Sequence, residues 1–267
     1  MNLDLSAVRA KLARSQEHAQ AINNEISAWV DRKPYGLTHH VNSDSTRYSL
    51  VLRENEAAPF QRWTLMLADC LNNLRSALDY LVYAVAVSES HSDPPPKWDK
   101  LMFPITDCRV KFDNAVRRGR LGEISEPVRT VIETLQPYHR PHPKLPPLLG
   151  ILRDLNDSDK HRLLNLAYGA IAQGALRLEG THPLDGRSFE PVLNMGQIKD
   201  GAEVAAMVCD RPTPNMQWGK IEIAIIVVVR HRKRDPSGPD FTGHTEVSAL
   251  LDLLSDEARS IIHSFVK

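Results

Sequence analysis

The stretch APFQRWTLMLADCLNNLRSALDYLVYAVAVS, residues 58–88, decides the fold. Pro59 suits the first turn of a helix, where its missing N–H costs nothing. Trp63, Leu67, Cys70, Leu71, Leu74, Ala77, Leu78, Leu81 and Val85 then recur at three- and four-residue steps. Together they form one apolar stripe, which predicts an amphipathic helix of about eight turns at ~3.6 residues each. Two polar ridges border the stripe: Asp69 and Asn73 on one side, Arg75 and Asp79 on the other. Residues four apart face each other on a helix. Arg75 and Asp79 read as a surface ion pair. Asn73 sits at the margin of the apolar stripe, where an amide needs hydrogen-bond partners. It reads as pinning a neighbouring loop or lining a site.

Outward from this helix the pattern stays legible on both sides. Toward the N-terminus, Leu5, Val8, Leu12, Ala19, Ile22, Ile26 and Trp29 predict another helix, ended by DRKPYG. LTHHVNSDSTRYSLVLREN reads as a β-hairpin turning at NSDS. Toward the C-terminus, SESHSDPPPKWDK is a loop, and LMFPI is too short to assign. A helix is expected over 123–135, with Ser125 as N-cap and Pro127 in its first turn. Another over 147–157 presents Leu148, Ile151, Leu152 and Leu155 on one face. Strands are expected over roughly 162–232, and the last helix over 244–266.

The order of helices, then strands, then a helix predicts an α+β fold. Its helical core carries an antiparallel β-sheet in the C-terminal half and a closing C-terminal helix. A single domain, 1–267, accommodates this: 1–165 mainly helical with an N-terminal hairpin, 166–243 mainly β, and 244–267 the closing helix. The 33 basic and 33 acidic residues balance, which argues against a polybasic coat for nucleic acid or a membrane surface. Cys70, Cys108 and Cys209 are dispersed and odd in number, as in a reducing cytoplasm. The longest apolar run, residues 221–229, contains a glutamate and falls well short of the ~20 residues that span a bilayer. The expectation is a soluble, cytoplasmic chain with no membrane partner and no cofactor, since nucleotide-loop, hydrolase-elbow and zinc-protease motifs are all missing.

The densest polar stretch is NDSDKHRLL, residues 156–164. One reading ends the preceding helix near Asn156, with Lys160, His161 and Arg162 beside its negative C-terminal end. A second is catalytic. His161 exchanges protons near neutral pH, while Lys160 and Arg162 neutralise a phosphate, as metal-free RNA cleavage requires. A third is a metal site: in extended chain, Asp157, Asp159 and His161 would share one face. The basic runs VRRGR at 116–120 and RHRKR at 230–234 could touch phosphate, although solvent-exposed segment ends explain them equally. His139 and His142 are spaced H-x2-H, but Pro141 and Pro143 stiffen the chain and no cysteine lies near to complete a zinc set.

The segments LADCLNNLRSALDYLVY, FPI, LQPY and LRDLNDSDKHR, within about residues 60–165, together resemble a family of bacterial proteins of unknown function. The resemblance implies that Asp69, Asn73, Arg75, Asp79, Asn156, Asp159, Lys160, His161 and Arg162 belong to shared motifs. A remoter likeness is to HEPN domains, helical modules of bacterial defence systems, many of them metal-independent ribonucleases. Their mark is an arginine followed at short range by a histidine. Here Arg153 precedes His161 at a longer interval than is usual there, so Arg162 or Arg75 becomes the alternative arginine. That likeness implies RNA or another phosphate-bearing ligand as partner, and a homodimer. His161 would act as acid/base, Lys160 and Arg162 would neutralise phosphate, and Asn73 or Asp69 would orient the imidazole. The competing reading is a non-catalytic structural or interaction protein whose polar motif locks two helices together.

Overall fold

A computed structural model describes residues 3–140, 147–159, 166–168, 192–193, 199–212, 227–230 and 244–266. In chain order these carry α1 (Ser6–Asp31), β1 (Tyr35–Val41), β2 (Arg47–Glu54), α2 (Phe60–Ser90), α3 (Arg109–Arg117), α4 (Glu126–Thr134) and α5 (Leu148–Asp159). Then follow β3 (Leu166–Tyr168), β4 (Val192–Leu193), β5 (Glu203–Val208), β6 (Val227–Arg230), β7 (His244–Glu246) and α6 (Val247–His263). Short 3-10 turns lie at Trp98–Lys100 and Pro137–His139. The fold is α+β, with antiparallel strand pairing and a helix after the last strand. No described helix is long and apolar enough to cross a membrane.

The chain divides into two compact units, one of residues 1–23, 61–165 and 230–267, the other of 24–60 and 166–229. The first is helical, and α2 is its spine. Trp63, Leu67, Cys70, Leu71, Leu74, Ala77, Leu78 and Val85 on α2 are wholly buried, and Leu81 nearly so. Burial of each large apolar side chain contributes about 1.5–3 kcal/mol. Ser15 of α1 donates to the Cys70 carbonyl at 3.1 Å, a buried polar contact between two helices. Residues Leu149, Ile151, Leu152 and Leu155 of α5 are buried, and α5 packs on α6. Ser125 does stand at the N-cap of α4, but its hydroxyl makes no cap bond. It donates instead to Glu89, whose other oxygen accepts the Ser125 N–H, both at 2.6 Å.

The second unit is built on a sheet of strand order β1-β2-β5-β4. The hairpin forms where NSDS was expected to turn. Asn42 Oδ1 accepts the N–H groups of Thr46 and Arg47 at 2.9 and 2.7 Å. Tyr48, Leu50 and Leu52 alternate into the core, the period of a half-buried strand. The hairpin does not stand apart as an N-terminal feature: β2 pairs with β5, from the C-terminal half, with a register shift at Leu50/Val51. A second pairing joins β3 to β6, Leu166 opposite Val229.

Candidate functional site

The site grows from a backbone problem in the helical unit. Residues 103–106 are buried and belong to no helix or strand. Buried N–H and C=O groups must find partners, and without a sheet these come from side chains. Asp79 Oδ1 accepts the Phe103 N–H at 2.8 Å, and Arg75 Nη2 donates to the Phe103 carbonyl at 2.5 Å. The same two side chains pair with each other at 2.9 Å. Gln136, wholly buried, donates to the carbonyls of Pro104 and Ile132 at 2.8 and 3.0 Å. Its oxygen accepts from the Thr106 N–H and hydroxyl at 2.9 and 3.2 Å. At the edges, Arg120 O accepts the Met102 N–H, and Arg153 pairs with Asp107 at 2.7 Å. Arg75 and Asp79 of NLRSALD and Gln136 of LQPY thus converge on FPIT.

Arg75 and Asp79 are therefore not the surface pair that spacing suggested. Their side chains are 12% and 28% exposed. Burial lowers the Arg75 pKa, Asp79 and Asp157 oppose that shift, and Arg120 adds to it by like-charge repulsion. Asp157 thus brings the last turn of α5 into the electrostatic surroundings of α2. Arg153, one turn earlier, is held above its ordinary pKa. Burial works against its charge, but the hydrogen bond to Asp107 and the charge of Asp154 outweigh it.

The other ridge of α2 faces elsewhere. Asn73 Oδ1 accepts from Lys11 Nζ of α1 at 3.4 Å, and its amide donates to the Asp69 backbone carbonyl at 2.8 Å. Asp69 is exposed. Residues 73 and 75 are about 200° apart on a helix, so the two ridges serve different neighbours. Arg75, on the second ridge, feels the charge of Asp157 in α5. The expected meeting of Asp69 and Asn73 with Lys160, His161 and Arg162 involves residues outside the described ones.

At that corner α5 runs on through Asp159 instead of ending near Asn156. Asn156 is buried within the helix and does not serve as its terminal residue. Asp157 and Asp159 lie in the last helical turn, so the extended-chain alternation behind the metal reading does not apply to them. Among the described residues, no group of three or more His, Cys, Asp or Glu could hold a metal ion. The side chain of Asp159, together with Lys160, His161 and Arg162, lies outside the described residues, as do His142 and residues 231–234 of RHRKR. VRRGR closes α3 and the turn after it, and its Arg120 carbonyl steadies Met102.

Gln136, Arg153 and Asp107 carry as much of this network as the expected residues do; sequence reading missed Gln136 and Asp107, and weighed Arg153 only against a histidine pattern. Gln136 had a signal: a lone amide between Leu135 and Pro137 has no apolar role to play. What the arrangement does chemically is fix backbone. Arg75 Nη2, Asp79 Oδ1 and both ends of the Gln136 amide bond carbonyls and N–H groups within the fold. Compared with protein-family models, curated proteins and solved structures, the chain matches none of them.

Proposed function

We propose that this chain is a non-catalytic interaction protein, and that its polar motifs are a lock on the helical unit. The observation that carries this reading is the double grip on Phe103, whose N–H and C=O are taken by Asp79 and Arg75. A catalytic pair keeps atoms available for substrate; this pair directs them to backbone. Three free thiols, two of them buried, accord with a reducing cytoplasm.

A ribonuclease is the second reading, favoured by one observation: Arg75 senses both Arg120 and Asp157, close in sequence to the segment carrying Lys160, His161 and Arg162. In it His161 exchanges protons, Lys160 and Arg162 neutralise phosphate, and two copies pair. This reading, like the bacterial family likeness, starts from motif resemblance.

Incubation of the purified chain with total RNA in chelator, beside His161→Ala, separates the two. The lock reading expects no cleavage by either protein. Cleavage by wild type that is lost in His161→Ala would overturn it in favour of the nuclease.

A further inference from the structure

We propose that a groove between the start of α1, the middle of α2 and the loop at 91–98 binds a small organic cation, an ammonium group on an aromatic or apolar body. The groove encloses about 590 Å³ and is walled by Val8, Tyr80, Tyr83 and Trp98, with the carboxylates of Asp4 and Asp93 in its lining. That volume is within the range of about 300–1,000 Å³ typical of small-molecule sites. It shares no residue with the lock, so it stands or falls independently.

Three features select a cation. First, the walls are aromatic and unusually open: Tyr80 is 43% and Trp98 57% exposed. Aromatic faces carry negative quadrupole potential and attract ammonium groups. Tyr80 already does so, with Lys11 Nζ 5.7 Å from its ring centroid. Second, the lining has two carboxylates and, among the described residues, no lysine, arginine or histidine. Asp93 Oδ1 accepts the Tyr83 hydroxyl at 2.7 Å, and its other oxygen makes no hydrogen bond among the described residues. Asp4 accepts the Ser6 N–H at 2.9 Å at the head of α1. The cations nearby are not lining residues: Lys11 lies over the Tyr80 ring and bonds Asn73, Arg9 acts on Asp4, and Lys97 pairs with Glu123. Third, the alternatives fit poorly. An anion meets two carboxylates, and a neutral ligand gains nothing from their charge.

The test is isothermal titration calorimetry of the full chain with phenyltrimethylammonium, benzyl alcohol and benzoate. Wild type should bind the ammonium and not the benzoate, with the alcohol about tenfold weaker. Asp93→Asn keeps an acceptor for Tyr83 but removes the charge; it should weaken ammonium binding about fivefold and leave the alcohol unchanged. Trp98→Ala, at an exposed position, should weaken both. Should either variant melt early, Asp4→Asn removes the second charge while retaining a helix cap. Three probes binding alike, no ammonium binding at millimolar concentration, or folded variants that bind ammonium as wild type does would each overturn the proposal.

Discussion

At the residue scale, polar side chains near the core act here through backbone groups. Gln136 uses both ends of its amide, and no water is needed to complete its bonds. Gln136→Leu keeps the volume but strands the Thr106 N–H and the Pro104 carbonyl. Urea unfolding should show a loss of about 2–4 kcal/mol, because buried groups left without partners bear their full desolvation cost. A loss under about 0.5 kcal/mol, the level of an ordinary surface change, would mean those groups have other partners. The identity of the motif residues was legible in sequence, but their roles were not. Spacing showed that Arg75 and Asp79 face each other. It could not show that a third party, the Phe103 peptide, lies between α2 and the next segment.

At the element scale, the long periodic helices were readable, as was nine-residue α4, whereas nine-residue α3 was not. Every residue of the α2 stripe anticipated from sequence is buried, because thirty-one helical residues repeat one pattern many times, and Thr64, Ala68, Val82 and Ala86 widen the buried face beyond it. α3 escaped notice because it has a single buried anchor, Phe112, while its Val110 is 66% exposed. α4 likewise has one buried residue, Ile132, but Ser125 and Pro127 marked its start, and α3 carries no such signal. The end of α5 was misjudged because Asn156 resembles a helix terminator, whereas burial keeps it inside the helix. The turn after α3 offers a sharp test. Gly122 has φ 54°, and a Cβ there would lie 2.8 Å from Leu101 Cδ2. Gly122→Ala should therefore lower stability by about 1–2 kcal/mol, where the same change in ordinary backbone is neutral or stabilising. An unchanged or higher melting temperature would contradict that backbone geometry.

At the scale of the whole molecule, the α+β class followed from element order, but the sheet did not. Nothing in periodicity says that β2 pairs with β5, since partners far apart in sequence leave no mark on local pattern. Global stability should also respond to alkali. Burial pushes the Cys70 thiol up from 9.0 to about 11, against a smaller opposing effect of the Ser15 hydrogen bond. The folded chain then holds a proton that the unfolded chain releases. Stability is intact below about pH 9 and falls as pH rises toward 11. A pH series of thermal melts should show that decline, and Cys70→Ala should flatten its slope; equal slopes would exclude Cys70 as the cause. The central claim, that the motif carboxylate and guanidinium lock residues 103–106 to the helices, is tested most directly in Asp79→Ala. Equilibrium unfolding together with hydrogen exchange at the Phe103 amide gives the answer. The lock predicts a loss of about 2–3 kcal/mol, with the Phe103 amide losing protection beyond what the global change explains. Wild-type stability with Phe103 still protected would contradict it.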